Sequence, residues 1–202
     1  MNYLSMEKGN LARLFISTFS LVLLVACATT SLTAVWIDEA YQGGPLQNVV
    51  ILGVMQPAEL RKAVEDTLAG QLGRRGIKAV QSYTLFPEDM LPDQKELEAM
   101  VKEQEIDTVF VVRFLQIDDI NLYLTYPPYV SNNLYGYYSY CCQNVISSGY
   151  HVRFETTIFD AKTQKVIWSA PSDTQLERTR ETIVESYVDA ILQNLYANKL
   201  IR

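Results

Sequence analysis

The stretch 48-NVVILGVM-55 decides the fold that this sequence predicts. From Val49 to Met55 it contains only apolar residues and one glycine, without the polar alternation of a strand that has one face in water. Continuous apolar runs of this length are typical of strands that are covered on both faces. The stretch therefore predicts a strand in the interior of a sheet.

A helix is predicted directly after this strand. Pro57 suits the first turn of a helix, and Gly76 is placed to end it in a left-handed conformation. Between them, apolar residues recur at four-residue spacing on a stripe that we expect to be buried: Leu60, Val64, Leu68 and Leu72. The pattern predicts a helix over 57–75 and a strand over 77–83.

A second helix and a third strand follow. Asp93 and Glu96 have the spacing of a capping box, which predicts a helix over 93–104 after a proline-bounded loop. The run 108-TVFVVRFLQI-117 is again too apolar for an exposed strand. Because strand–helix–strand crossovers are right-handed and join parallel strands, we expect the first three strands to be largely parallel.

The second half has a different pattern. Residues 151–159 alternate, which predicts a strand with one face toward solvent, and 160-DAKTQK-165 predicts a hairpin turn that returns through Val166. A terminal helix is predicted over 179–198, with Ile191 on its buried stripe. The fold class predicted is α/β, as a single domain with a mixed sheet, strand–helix–strand units, a C-terminal β-hairpin and a terminal helix.

The residues before this domain have the pattern of an export signal. Lys8 and Arg13 precede an uncharged apolar run over 14–26, which is shorter than the roughly 20 residues of a membrane-spanning helix. The run ends in 24-LVAC-27, which resembles the lipobox of bacterial lipoproteins. The resemblance implies a signal peptide over 1–26, acylation of Cys27, and, because Ala28 follows, the outer membrane as destination.

Three segments are then predicted after the signal. Residues 27–46 are a lipidated tether, in which 33–38 has the option of pairing as an edge strand, and residues 47–202 form the periplasmic domain. Within the domain, the insert over 121–150 is rich in tyrosine: eight of the thirteen tyrosines of the chain lie between Tyr123 and Tyr150. At 202 residues and 49% hydrophobic content, the chain suits one domain plus a leader.

The tyrosines of the insert allow two interpretations. Tyrosine gives a large amphipathic contact area at a low entropic cost, as on recognition surfaces. The first interpretation is a surface that binds a periplasmic protein or cell-wall glycan through Tyr135, Tyr137, Tyr138 and Tyr140. The second is a hairpin extension over the sheet edge, or a flexible loop. Beside these residues, Cys141 and Cys142 are either two thiols, a vicinal disulfide or an intermolecular link.

Little in the sequence indicates catalysis or a cofactor. The net charge of -6 argues against a nucleic-acid partner. His151 is the only histidine; it is an exposed residue at a strand start, or it reaches Cys141 or Cys142 as a base. Asp118 and Asp119 would point to opposite faces of a strand. We therefore expect no enzyme, no metal and no cofactor, with a cell-envelope hydrolase using acidic residues near the insert as the alternative.

The order of the elements carries a family resemblance. An apolar strand, a helix closing on 72-LGRRGIKAV-80, a second helix before 106-IDTVFVVRF-114, a tyrosine-rich insert and 154-FETTIFDAKTQKVIWSA-170 resemble a group of bacterial lipoproteins of unknown function. That group is similar in arrangement to the amino-terminal domain of the Tol-system translocation protein B and to lipoprotein activators of peptidoglycan synthases. Gln164 departs from the pattern, since relatives carry a turn glycine there. The resemblance implies a non-enzymatic, lipid-anchored envelope protein with a periplasmic protein or peptidoglycan partner.

Overall fold

One mixed sheet with helices on both faces forms the domain. A computed structural model describes residues 30–86, 92–115, 134, 151–175 and 179–202. In this part of the chain there are seven strands and three helices: β1 (Thr30–Leu32), β2 (Trp36–Ile37), β3 (Asn48–Val54), β4 (Lys78–Gln81), β5 (Thr108–Leu115), β6 (His151–Asp160), β7 (Val166–Gln175), α1 (Ala58–Gly73), α2 (Gln94–Glu103) and α3 (Arg180–Ala197). The predicted fold class is confirmed.

The sheet has the strand order β1-β7-β6-β5-β3-β4, and β2 also pairs with β7. Strand β3 pairs in parallel with β4 on one side and with β5 on the other, as predicted. Residues Val49 to Leu52 are fully buried because the strand is covered on both faces. The remaining neighbours, β5–β6, β6–β7, β1–β7 and β2–β7, are antiparallel.

Two hydrophobic clusters cover the two faces of the sheet. On the first face, α1 and α3 pack through Leu68 and Ile191, both fully buried, onto Phe110 and Trp168. On the second face, α2 packs through residues such as Leu97 onto the central strands. The second cluster also contains Leu134 and Phe159 from the second half of the chain: its members are Val50, Leu52, Val54, Leu97, Met100, Ile106, Val109, Val111, Leu134, Phe159 and Val166.

The helix ends have the predicted signals. Helix α1 follows Pro57, and Gly76 after it has a φ of 77°, a conformation that glycine adopts at no steric cost. At α2, Asp93 and Glu96 form the predicted capping box: the Glu96 N–H donates to Asp93 Oδ1 at 2.9 Å, and the Asp93 N–H donates to Glu96 Oε2 at 2.8 Å. The Thr179 hydroxyl accepts from the Thr182 N–H at the start of α3.

The structure differs from the prediction in the length of β4. A strand was expected over 77–83, whereas β4 ends at Gln81 and a 3-10 turn over Ser82–Thr84 follows. The carboxylate of Glu65 accepts hydrogen bonds from the Ser82 hydroxyl at 2.8 Å and from the Tyr83 N–H at 3.1 Å. These bonds turn the chain toward α1, which ends the strand.

A second difference concerns the predicted tether over 27–46. Residues 30–32 and 36–37 pair with β7 in antiparallel register, and Leu46 is buried in the core. The Thr30 and Thr174 hydroxyls are hydrogen-bonded at 2.7 Å. The option of an edge strand within 33–38 is confirmed at Trp36 and Ile37. From Thr30 onward the predicted tether is therefore part of the packed domain.

A third difference concerns β6, for which a solvent-facing side was expected. Residues Phe154 to Phe159 are all buried. The alternation itself is present, with Phe154 and Ile158 in the first cluster and Glu155 and Thr157 on the opposite face. The polar side chains on the opposite face form hydrogen bonds across the strands, as described below, and these bonds satisfy them where they are buried.

Six strand ends meet at one rim of the sheet in the described part of the chain. We call this the carboxyl rim, because the three parallel strands end there. Strands of one direction end there, at Val54 of β3, Gln81 of β4, Leu115 of β5 and Gln175 of β7, and strands of the opposite direction begin there, at His151 of β6 and Thr30 of β1. The segment between β5 and β6, which includes the predicted insert, therefore leaves and re-enters the sheet at this rim.

Candidate functional site

The antiparallel half of the sheet carries a continuous row of polar side chains on its second face. We call this row the polar face; its members are Thr157, Ser169, Arg113, Glu155, Arg153, Asp173 and His151. The pairing register places them on one face, since Arg113 lies opposite Glu155, Thr157 opposite Ser169, and Arg153 opposite Asp173. Exposure increases along the row, from buried Thr157 and Ser169 to His151 at the carboxyl rim.

An ion pair occupies the middle of the polar face. Both Nε and Nη2 of Arg113 donate to Oε2 of Glu155, with the Nε to Oε2 distance at 3.1 Å. Both side chains are buried. Taking two charges out of water is costly, and their attraction offsets this cost only while the pair is intact. Deeper along the row, the hydroxyls of Thr157 and Ser169 are hydrogen-bonded to each other at 2.9 Å.

A second group of charges lies at the rim end of the polar face. Asp173 binds two partners: its Oδ1 is 2.6 Å from Nδ1 of His151, and its Oδ2 accepts from Nε of Arg153 at 3.2 Å. The side chain of His151 is 42% exposed, whereas those of Arg153 and Asp173 are 14% and 18% exposed. The imidazole is therefore held by a carboxylate and is reachable from solvent.

This geometry has a defined chemical capacity. A carboxylate in contact with Nδ1 orients a histidine ring and leaves Nε2 as the nitrogen available to another group. Nucleophilic catalysis also requires a hydroxyl or thiol next to Nε2. In the described residues no such group is hydrogen-bonded to His151. The arrangement supports proton exchange or anion and carbonyl recognition, and lacks the third part of a catalytic triad within the described residues.

A separate buried network closes the first face near the same rim. Oε1 of Glu65 accepts from the Gly53 N–H at 2.8 Å and from Nε of Arg61 at 2.9 Å, and Nη2 of Arg61 donates to the Ser82 hydroxyl at 2.8 Å. A Cβ at Gly53 would lie 2.8 Å from Cγ of Arg61. Because Arg61, Glu65 and Ser82 are buried, this network ties β3, α1 and the turn after β4 together and has no access for a ligand.

Most residues that the sequence analysis singled out lie outside the described residues. This holds for Cys27, for Tyr135, Tyr137, Tyr138 and Tyr140, for Cys141 and Cys142, and for Asp118 and Asp119. His151 is the exception: it begins β6, as predicted, and its contact with Asp173 was not foreseen. Across the described residues, no group of three His, Cys, Asp or Glu side chains is placed to hold a metal ion.

The sequence analysis missed Arg113, Glu155 and Asp173. One signal for them was present, since Arg113 is the single charged residue in an otherwise apolar strand and required a buried partner. A second signal was the hairpin: pairing residues 151–160 with 166–175 brings Arg153 opposite Asp173. The register past the bulge between Ile158 and Phe159 could not be obtained from the sequence.

Comparison with known proteins gives a likeness of fold only. No protein-family model matches this chain, and no curated protein matches it. The PelC dodecamer from Paraburkholderia phytofirmans is similar at 13% identity and a TM-score of 0.47, over 86% of this chain and 99% of that chain. A point variant of PelC is similar at 12% identity and a TM-score of 0.45, over 83% and 98% of the two chains. At these values the likeness carries no functional conclusion.

A third solved structure is similar over part of its length. It is a PDZ domain protein from Parabacteroides distasonis ATCC 8503, with 11% identity and a TM-score of 0.41. The match covers 83% of this chain and 36% of that chain. Among the residues that the structure describes, no helix is long and apolar enough to cross a membrane.

Proposed function

We propose that this protein is a non-enzymatic cell-envelope lipoprotein. On this proposal Cys27 is acylated, the lipid anchors the chain in the outer membrane, and the domain faces the periplasm. There it binds a protein or cell-wall partner in envelope assembly or maintenance. The proposal extends the resemblance to bacterial lipoproteins that are similar in arrangement to the amino-terminal domain of the Tol-system translocation protein B and to the synthase activators.

One observation carries this proposal. The run 24-LVAC-27 ends an uncharged apolar segment that follows Lys8 and Arg13, so basic start, apolar run, small residue and cysteine occur in the order of a lipoprotein signal. The packed sheet begins at Thr30, three residues after the cysteine.

The choice of a binding protein over an enzyme rests on the described charges. Glu155 and Asp173, the carboxylates of the polar face, are each held by an arginine within the sheet. A carboxylate that is paired with an arginine stabilises a fixed surface. Acid–base catalysis instead requires a carboxylate that can exchange a proton. Asp173 also contacts His151, so His151, Arg153 and Asp173 are all engaged with one another at this end of the polar face.

The experiment that tests the proposal compares wild type with Cys27→Ser. Acylation and cleavage both require the thiol, so the variant should stay in the inner membrane as an uncleaved precursor. Wild type should fractionate with the outer membrane, because several acyl chains anchor a protein stably and Ala28 follows Cys27 in place of the aspartate that retains such lipoproteins in the inner membrane. Ala28→Ser, a neighbouring small-residue change, is the matched control and should fractionate like wild type. Equal outer-membrane amounts of Cys27→Ser and wild type would exclude the proposal.

The His151–Asp173 contact favours a second candidate function, a cell-envelope hydrolase. In that case Asp173→Asn should remove activity, because the amide no longer orients the imidazole toward proton transfer. For a binding protein, the same variant should retain partner capture once its folding has been checked by its melting temperature. Loss of all in vivo function in folded Asp173→Asn and in folded His151→Ala would favour the hydrolase.

A further inference from the structure

The described helices leave the polar face of β6 and β7 without a helix above it. Helices α1 and α3 pack on the first face of the sheet. Helix α2 joins β4 to β5 and contributes Leu97 and Met100 to the second cluster, and a crossover helix lies over the strands that it joins. Among the described elements, therefore, no helix is placed to cover the polar side chains of β6 and β7.

These polar side chains are nevertheless shielded from water. Thr157 and Ser169 are 1% and 4% exposed, and the longer Glu155 and Arg113 are 6% and 9% exposed. Side chains stand roughly perpendicular to a sheet, so neighbours on one face shield each other mainly from the side. Arg113 and Glu155 have the longest side chains in this part of the row, and they are buried as well. Another part of the chain must therefore lie over the row.

The lengths and the ends of the remaining segments favour one occupant. Residues 87–91 and 176–178 are too short to extend over several strands. Residues 116–150 connect β5 to β6, so both ends of this segment lie at the carboxyl rim, where the polar face also ends. A segment of this length can leave the rim, extend over the polar face and return.

Leu134 is a fixed point within this segment. It is 1% exposed and belongs to the second cluster. On β5 and β6 that cluster contains Val109, Val111 and Phe159, which lie four to eight residues in from the rim. A chain that leaves the sheet at Leu115 and buries Leu134 in this cluster has to lie on the second face.

We propose that residues 116–150 pack over the polar face, with Leu134 as their apolar anchor. The proposal is independent of the acylation of Cys27. It makes the row from Arg113 to Ser169 the surface that holds this segment, so a partner that approaches the second face meets the segment and not the sheet.

The composition of the segment suits a buried polar surface. Tyrosine combines a large apolar ring with a hydroxyl that finds a hydrogen-bond partner when it is buried. Four tyrosines lie within six residues of Leu134, and therefore within about 22 Å of it. They are Tyr135, Tyr137, Tyr138 and Tyr140.

The first measurement is the rate at which a buried thiol on the polar face reacts with a maleimide. The full-length chain carries Cys27→Ser, Cys141→Ser and Cys142→Ser, so that the added thiol is the only one and acylation plays no part. Ser169→Cys reports on the polar face. Ala69→Cys, a small buried position in the first cluster, is the matched control. Each thiol is measured with Leu134 and with Leu134→Ala.

We expect Leu134→Ala to raise the labelling rate at position 169 by about tenfold or more and to leave the rate at position 69 unchanged. The reason is that loss of the anchor weakens the packing of the segment and does not disturb the first cluster. An unchanged rate at position 169 would overturn the proposal. If both rates rose together, Leu134 would support the whole domain, and the second measurement would decide.

The second measurement identifies the segment above the polar face. Trp36 lies opposite Ser169, so its side chain is on the same face at the sheet edge, and the residue is 42% exposed. The photoreactive amino acid p-benzoylphenylalanine replaces Trp36, and mass spectrometry identifies the crosslinked peptide. The same amino acid in place of Tyr196, an exposed residue of α3, is the control.

We expect position 36 to crosslink to residues within 116–150 and position 196 to give no such product. Crosslinks from position 36 that lead only to residues 1–29 or to another copy of the chain would overturn the proposal. The absence of any product within 116–150 would overturn it as well.

Discussion

At the scale of single residues, the polar face explains an arginine that the apolar pattern does not. Arg113 interrupts the run 109-VFVVRFL-115, and a charge in such a strand would be costly to bury alone. Glu155 lies directly opposite it on β6 and accepts both of its described hydrogen bonds. The strand can therefore keep a buried position in the sheet while it carries a full charge.

Breaking this pair should be more harmful than replacing it. We expect Arg113→Met to lower the free energy of unfolding by about 3 to 5 kcal/mol, because the buried carboxylate of Glu155 loses its guanidinium. The double variant Arg113→Met with Glu155→Leu should recover most of that loss. Lys102→Met, an exposed cation on α2, is the control and should stay within about 0.5 kcal/mol of wild type. Urea unfolding measures all three; a double variant as unstable as the single one would contradict this account of the pair.

Tyr187 provides a prediction for alkaline pH. Burial raises the pKa of its phenol well above the ordinary value of about 10, and the hydrogen bond with the Thr156 hydroxyl lowers it only in part. Above pH 10 the unfolded chain releases the proton and the folded chain retains it. The contribution of Tyr187 to the free energy of unfolding is therefore fully present below pH 10. Above pH 10 this contribution declines by up to about 1.4 kcal/mol per pH unit.

The measurement is the free energy of unfolding between pH 9 and 11. Tyr187→Phe should make the decline shallower, although it should also lower stability at neutral pH by about 1 kcal/mol through the lost hydrogen bond. Tyr196→Phe, at an exposed position of the same helix, should keep the wild-type slope. An unchanged slope in Tyr187→Phe would contradict the burial of this phenol.

At the scale of elements, the sequence predicts helices and strands best where the spacing of apolar side chains is enough to identify them. The stripes of α1 and α3 and the covered strand β3 were predicted because burial repeats every 3.6 residues or continues without interruption. The end of β4 was missed because it depends on Glu65, which is distant in sequence from Ser82. The buried second face of β6 was missed because polar alternation was taken to mean solvent. On that face of β6, polar side chains can be buried because residues on the neighbouring strands bond to them. The alternation of residues along one strand does not show which residues lie opposite.

The β6–β7 hairpin contains a residue other than glycine in a left-handed conformation. Gln164 has a φ of 58°, and its N–H donates to the Asp160 carbonyl at 2.8 Å. A left-handed conformation costs a side-chain-bearing residue roughly 1 to 2 kcal/mol. We expect Gln164→Gly to raise the free energy of unfolding by about 1 kcal/mol. Lys162→Gly in the same turn is the control. Lys162 has no positive φ, so this variant should have a lower free energy of unfolding than wild type. A lower free energy of unfolding in both variants would contradict the strain at Gln164.

At the scale of the whole molecule, the carboxyl rim brings together features that are far apart in sequence. Thr30, His151 and Gln175 lie at one rim only because β1 and β6 each run antiparallel to β7. The sequence predicted the three helices, the strands β3 to β7 and the hairpin, whereas β1 and its pairing with β7 could not be predicted from a three-residue strand. The polar face could not be predicted for the same reason, since it requires the register of three strands.

The tyrosine-rich insert gives a prediction at this scale. If Tyr135, Tyr137, Tyr138 and Tyr140 form a contact surface, replacing all four by serine should weaken capture of the partner in crosslinked intact cells and scarcely change the melting temperature. If they cover the sheet, each fully buried side chain contributes about 1.5 to 3 kcal/mol, so the same variant should melt several degrees lower. Tyr196→Ser, an exposed tyrosine on α3, is the control for the loss of one exposed ring. A destabilised variant with an unchanged crosslinking pattern would contradict the contact surface.

The central claim is that the mature chain begins at an acylated Cys27. The most direct measurement combines metabolic labelling with an alkyne fatty acid and the intact mass of the purified protein. The account predicts a labelled protein whose mass equals residues 27–202 plus a diacylglycerol and one amide-linked acyl chain, and no label in Cys27→Ser. An unlabelled wild-type protein, or one whose mass includes residues before Cys27, would contradict it.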